Sequence, residues 1–156
     1  MTDTSRDNAG VIAPPPLLFL AGLVVGLILD ALFPTPFSDA PLNTILGLVV
    51  VVLSIMLGLW AVINMRQAGT SPDPRDPVSA LVTSGPFSFT RNPIYLSFVL
   101  FFIGVSLLAN SWLMLVILII LIFVMQNGVI EREERYLEDK FGDEYRQYKA
   151  KVYRWL

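Results

Sequence analysis

Cysteine and histidine are both absent from this chain, and their absence removes several chemistries at once. No disulfide can form, no zinc site of the usual Cys/His kind can be assembled, and neither a thiolate nucleophile nor an imidazole base is available. Charge is scarce as well: Asp, Glu, Lys and Arg make up 15% of the 156 residues, and residues 94–130 contain none. The 11 Lys and Arg are confined to Arg6, residues 66–91 and residues 132–154. No basic face of the kind that binds nucleic acid is present. Any catalysis must use carboxylates, tyrosines, arginine, amides, backbone groups or a bound cofactor.

What the chain does have is apolar length. A hydrophobic fraction of 54% and a mean hydropathy of +0.64 lie outside the range of soluble domains and indicate an integral membrane protein. Residues 1–10 are polar, with Asp3, Arg6 and Asp7, and lack the basic region and small-residue cleavage site of a secretory signal. The first apolar segment is therefore expected to be a retained anchor. Spans are expected at about 17–33, after Pro14-Pro15-Pro16, and at about 42–65, 93–109 and 112–130. The expected fold class is all-α and integral membrane, with about four transmembrane helices and a C-terminal cytoplasmic interfacial helical segment. In this organisation residues 1–16 are a polar tail, residues 17–156 a single membrane domain, and residues 131–156 its cytoplasmic tail.

Four spans put every basic segment on one side of the bilayer, which the positive-inside rule makes cytoplasmic. Both termini are then cytoplasmic, and the inner or plasma membrane of a prokaryote is the expected location. Gly22 and Gly26 form a small-xxx-small pair suited to close helix packing. Asp30 is expected to reach the interface. Asn64, Arg66 and Gln67 mark the polar exit of the second span, and Asn110-Ser111 breaks the long apolar run into a hairpin. Gly142 should stop a charged helix, and Asp143 can cap the next one. In that last helix Tyr145, Tyr148 and Val152 share a face that can lie on the membrane or fold over a pocket.

Because the third and fourth spans are joined by a tight turn, their far ends should be neighbours. That brings Arg91, Asn92 and Tyr95 close to Glu131, Glu133 and Glu134. Pro93 suits the first turn of a helix, with Asn92 or Thr90 as its cap. Free N–H groups there, together with Arg91, favour an anion. The plainer alternative has Arg91 snorkelling to headgroups, Tyr95 in the interfacial aromatic belt, and Glu133 and Glu134 paired at helical spacing with Arg132, Arg135 or Lys140. Anion-binding groups facing carboxylates under a tyrosine-rich tail suit a zwitterionic or cationic ligand.

Leu81-Val82-Thr83-Ser84-Gly85-Pro86-Phe87, then Arg91-Asn92-Pro93-Ile94-Tyr95, then Glu133-Glu134 with Leu137, Phe141-Gly142, Tyr145 and Tyr148 together resemble the isoprenylcysteine carboxyl methyltransferase and phospholipid methyltransferase superfamily. The resemblance covers the C-terminal half. It implies a membrane methyltransferase that uses S-adenosyl-L-methionine and transfers methyl to a lipid or other amphiphilic acceptor at the cytoplasmic face. Carried over by position, Ser79, Ala80, Leu81, Val82 and Phe87 would line the adenosine side. Asn92, Pro93, Ile94 and Tyr95 would hold the methionine part, Glu133 would meet its amino group, and Arg91 joins the cofactor-binding set. Glu134 and Tyr148 are candidate proton acceptors for an amine substrate, while a carboxylate or thiolate acceptor needs no base. Two positions depart from the prenylcysteine enzymes: Asn92 stands where many have histidine, and Val129 where they carry a substrate-binding arginine, which leaves Gln126 and Asn127 as candidate substrate contacts.

Two rival readings accompany this one. Sterol reductases resemble the superfamily in their C-terminal membrane region and use NADPH, but acidic and basic residues balance across residues 131–156, where a 2'-phosphate calls for a basic excess. The other rival is a non-enzymatic membrane scaffold, in which the glycines and the charged tail only pack and anchor.

Overall fold

The computed structural model describes residues 7–37 and 42–156. Among these residues all regular structure is helical. Helix α1 covers Pro15–Leu32 and opens on the proline run, with Pro15 in its first turn where a missing N–H costs nothing. Helix α2 is Leu42–Gln67, 26 residues or roughly 39 Å, ending in the polar exit marked by Arg66. Helix α3 is Pro93–Leu108 and helix α4 is Trp112–Met125. The chain then passes through one π-helical turn, Gln126–Ile130, into α5, Glu131–Phe141. Gly142, at φ 54°, breaks the helix, and α6 runs over Asp143–Lys151.

Among the described residues three helices are long and apolar enough to cross a membrane: Pro15–Leu32, Leu42–Gln67 and the continuous Trp112–Phe141. The fourth apolar helix, α3, has 16 residues, or roughly 24 Å against a hydrocarbon core of about 30 Å. Its shortness goes with its place at the centre. Helix α2 packs along it, α1 and α4 also touch it, and α1 packs on α4. Phe102 and Ser106 of α3 are fully buried, whereas α1, α2 and α4 carry rows of exposed Leu, Ile and Val. Those rows suit lipid tails as the surrounding solvent.

A second pair of glycines, besides the buried Gly22 and Gly26, lets helices approach closely. Those two face side chains of α4, Leu121 for Gly22 and Met114 with Ile117 for Gly26. It is α2 and α3 whose backbones nearly touch: a Cβ on Gly104 would lie 2.6 Å from Val51 Cγ2 and 3.0 Å from the Gly47 carbonyl oxygen. Gly104→Val is therefore expected to destabilise the protein by about 1–3 kcal/mol, read as a lower melting temperature in detergent.

The α3–α4 turn is tied at its own end. Ser111 caps α4 by accepting from Met114 N, Asn110 adopts a left-handed φ of 53°, and Asn43 Nδ2 donates to Asn110 Oδ1 at 2.9 Å. With this end closed, the opposite ends of α3 and α4–α5 stand side by side. Asp30 stays partly buried, with its Oδ1 lacking a hydrogen-bond partner among the described residues.

Candidate active site

One wall of the site is the segment between α2 and α3. A 3₁₀ turn at Gly85–Ser88 buries Pro86 and Phe87. Gly85 sits at φ +59° against the Asn64 side chain, which a Cβ would strike. Asn92 occupies the N-cap position of α3 but makes no side-chain cap, so of the two expected capping residues it is not the one whose side chain serves the helix start. Its Nδ2 donates instead to the Arg154 carbonyl at 2.8 Å. Thr90 Oγ1 accepts from Asn92 N and donates to the same Arg154 carbonyl. Both side chains thus tie the loop to the segment after α6.

The second wall is α5, aimed by the π turn. One extra residue in the helical ladder rotates the succeeding turns and commonly marks functional positions. Here the turn buries Val129 and Ile130 completely, and Gly128 accepts from Ile12 N at 3.2 Å. Val129 is thus a core residue and presents no polar group. Beyond the turn, Glu133 and Glu134 face α3. Tyr95 Oη donates to Glu133 Oε1 at 2.7 Å. Glu134 is buried, with Arg91 Nη1 at 3.0 Å and both Nε and Nη2 of Arg154 at 2.7 Å. Its cations come from distant segments and not from Arg132, Arg135 or Lys140 at helical spacing.

The adjacent glutamates are therefore unlike each other. Glu134 meets a guanidinium on each side. Glu133 has a phenol and, among the described residues, no ion pair. Arg91 has its own surplus, since its Nε is buried without an acceptor among the described residues.

Helix α6 roofs the cavity. Tyr145 and Tyr148 are both buried, which selects the pocket-covering option for their face. Asp143 does not cap this helix and pairs with Arg146 instead. Arg91 Nη1 donates to Tyr145 Oη at 3.4 Å, and Tyr148 Oη donates to the Phe87 carbonyl at 2.7 Å. Burial, reinforced by the Glu134 carboxylate, pushes the Tyr145 phenol up to about 12. Burial likewise raises Tyr148 above its ordinary value, with Tyr145 adding to the effect. Both phenols stay protonated through the neutral range. Tyr148→Phe is expected to cost about 1 kcal/mol of stability through the lost donor and to leave the neutral pH dependence of activity unchanged. An altered pH profile would mean that Tyr148 titrates.

An N-terminal strap closes the side. Ala9 N donates to the Pro74 carbonyl at 3.4 Å, and Asp7 takes Lys140 Nζ at 2.8 Å and Tyr136 Oη at 2.7 Å. Tyr136 Oη also accepts from Val78 N. The resulting cavity is lined by Ala80, Leu81, Val82, Phe87, Arg91, Asn92, Pro93, Ile94, Tyr95, Glu133, Glu134 and Tyr148, all singled out in the sequence. It also takes in Ala9, Met65, the 71–74 turn, Tyr136 and Tyr145. Ser79 lies outside the lining, exposed, with its N–H on Thr70 Oγ1. Gln126 and Asn127 lie outside it too: Gln126 Oε1 accepts from Trp155 Nε1, and the exposed Asn127 bonds its own helix at Phe123 O.

Residues 42–144 match the phospholipid methyltransferase family. The chain belongs to that family. Similar proteins include the protein-S-isoprenylcysteine O-methyltransferase of Saccharomyces cerevisiae, 36% identical over 117 residues, covering 71% of this chain and 47% of that protein. The methanethiol S-methyltransferase 1 of Bradyrhizobium diazoefficiens is 38% identical over 98 residues, covering 62% of this chain and 31% of that protein. An uncharacterized protein of Haemophilus influenzae is 53% identical over 63 residues, 40% of this chain and all of that protein. The matches thus span half or less of the two relatives named for an activity. Family membership makes this chain a homologue of the isoprenylcysteine carboxyl methyltransferases, and the matched stretch contains both walls of the cavity.

Proposed function

We propose that this protein transfers a methyl group from S-adenosyl-L-methionine to a lipid or other amphiphilic acceptor at the cytoplasmic face of the membrane. The observation that carries the reading is one cavity that, among the described residues, holds the Glu133 carboxylate without a cation and Arg91 with a buried Nε lacking an acceptor. Buried polar groups without partners are costly and uncommon. A ligand with an ammonium and a carboxylate on one carbon matches both: Glu133, oriented by Tyr95, takes the ammonium, and Arg91 takes the carboxylate. Ala80, Leu81 and Val82, with the Phe87 ring, offer the flat apolar wall that an adenosine needs.

Ala80, Leu81, Val82, Phe87, Arg91, Tyr95 and Glu133 would hold the cofactor there, and it would supply a sulfonium-activated methyl group to the acceptor's nucleophile. The protein's part is alignment and exclusion of water, which the roof of Tyr145 and Tyr148 suits. No histidine or cysteine is needed for that work. A carboxylate or thiolate acceptor reacts without a protein base, and Glu134 and Tyr148 are both engaged in holding the walls.

A second, mostly apolar cavity lies against the first. It runs from Pro14, Pro15 and Pro16 past Val62 to Ile94, Tyr95 and Phe98, so Ile94 and Tyr95 wall both. This supports sideways entry of the acceptor's apolar part from the lipid. For NADPH the charges are unsuitable: the first cavity has Asp73, Glu133 and Glu134 against Arg91, its one basic residue among those described, and leaves nothing for a 2'-phosphate. The test is to incubate purified protein with methyl-labelled S-adenosylmethionine and a membrane lipid extract. Label in the organic phase is expected; label that never leaves the aqueous phase in the presence of lipids, thiols and prenylcysteines would remove the proposal.

A further inference from the structure

We infer that Arg154 is a positioning residue for the amino-acid half of the cofactor, acting through Glu134 and Arg91; the inference rests on the reading above. Three observations converge on it. The Arg154 guanidinium grips both Glu134 oxygens, at 2.7 Å each, the fork geometry that fixes a carboxylate in orientation as well as place. The same Glu134 holds Arg91 Nη1 at 3.0 Å. The backbone joins in: Arg91 N donates to the Tyr153 carbonyl at 2.9 Å, and the Arg154 carbonyl collects Asn92 Nδ2 and Thr90 Oγ1. The segment after α6 is thus stitched to the α3 wall by its backbone and to the α5 wall by one side chain.

The charges explain what that side chain adds. Without Arg154, Glu134 and Glu133 would share Arg91 between them, and Arg91 could swing to whichever carboxylate is nearer. With Arg154 in place Glu134 is neutralised from its other side. Arg91 stays beside Glu134 with its Nε unpaired, and Glu133 keeps its freedom from cations. The division into one cation-accepting carboxylate and one anion-accepting guanidinium is what a zwitterion requires. Arg154 does not line the cavity, so it works at one remove.

This role separates from simple structural support by the choice of ligand. Binding of S-adenosylhomocysteine and of 5'-deoxy-5'-methylthioadenosine, which shares the thioadenosine but lacks the amino acid, is measured by titration calorimetry on detergent-solubilised wild type, Arg154→Ala and Arg154→Lys. Every variant keeps the residue-154 carbonyl and with it the bonds to Asn92 and Thr90. Arg154→Ala is expected to lose about tenfold or more in S-adenosylhomocysteine affinity with the methylthioadenosine affinity nearly unchanged. Arg154→Lys, which keeps the charge but not the fork, should fall between and covers the case of an alanine variant that does not fold. Equal losses for both ligands in the folded variants would assign Arg154 to general support and overturn the inference, as would unchanged affinity for both. Wild type that binds neither ligand would instead overturn the cofactor reading, and the inference with it.

Discussion

Glu133→Gln is expected to weaken S-adenosylhomocysteine binding by about 100-fold while leaving the ligand-free melting temperature close to that of the wild type. The size comes from the strength of the carboxylate's bond. A hydrogen bond to a charged partner in a partly buried site contributes up to about 3 kcal/mol, and each 1.4 kcal/mol is tenfold in affinity. The fold should tolerate the change because Glu133 supports nothing else: its partner is the Tyr95 phenol at 2.7 Å, and a glutamine oxygen accepts the same bond. Tyr95→Phe should act in the same direction with a smaller loss, about tenfold, since it removes the group that orients the carboxylate. Calorimetric titration of the two variants checks both values. If Glu133→Gln binds as tightly as the wild type, the ammonium is held elsewhere.

The neighbouring substitution should behave in the opposite way. Glu134→Ala is expected to reduce stability by about 3 kcal/mol, because removing one member of a buried ion pair strands the other. The side chains of Glu134 and Arg91 are 8% and 9% exposed, so water replaces little of what is lost. Arg154, at 31% exposed, is partly rehydrated and adds less. The loss is read as a fall in melting temperature in detergent before any ligand is added. If Glu134→Ala melts like the wild type, the Arg91–Glu134–Arg154 network does not join the two walls. A pair of adjacent glutamates, one meeting the ligand and one holding the walls that position it, is a sharp contrast that a single melting and titration series resolves.

Local chemistry explains how much of this could be read in the sequence. The apolar segments, the break at Asn110-Ser111, Pro93 opening a helix and Gly142 ending one are all properties of a few consecutive residues, and each stands where expected. The meeting of Tyr95 with Glu133 follows from the hairpin alone. What stayed hidden depends on partners far apart in the chain. In the sequence Asn92 reads as a cap because nothing nearby competes for its amide; its actual acceptor is the carbonyl of Arg154, 62 residues on. Arg154 itself, in the run Val152-Tyr153-Arg154-Trp155-Leu156, was an isolated charge among apolar neighbours, a pattern that can suggest a buried partner but not name it. The strap contacts of Asp7 and Ala9 have the same character. Gly22 and Gly26 advertised close packing by their spacing. That packing is onto side chains of α4; a second close approach pairs Gly47 with Gly104, one glycine on each helix, which no spacing within one segment reveals. The π turn is invisible for a related reason: Gln126-Asn127-Gly128-Val129-Ile130 continues an apolar helix, and the extra residue is stabilised by Ile12 reaching the Gly128 carbonyl from outside it.

The most direct test of a methyl-donor site is ligand-dependent stability. Purified protein in detergent is heated with saturating S-adenosylhomocysteine, with saturating NADPH and with neither; a ligand at 100 times its Kd stabilises the folded state by about 2.7 kcal/mol. S-adenosylhomocysteine is expected to raise the melting temperature by several degrees, NADPH to leave it unchanged, and Glu133→Gln to abolish the shift. A rise with NADPH alone would place the protein with the reductases, and no rise with either would contradict a cofactor site between Arg91 and Glu133.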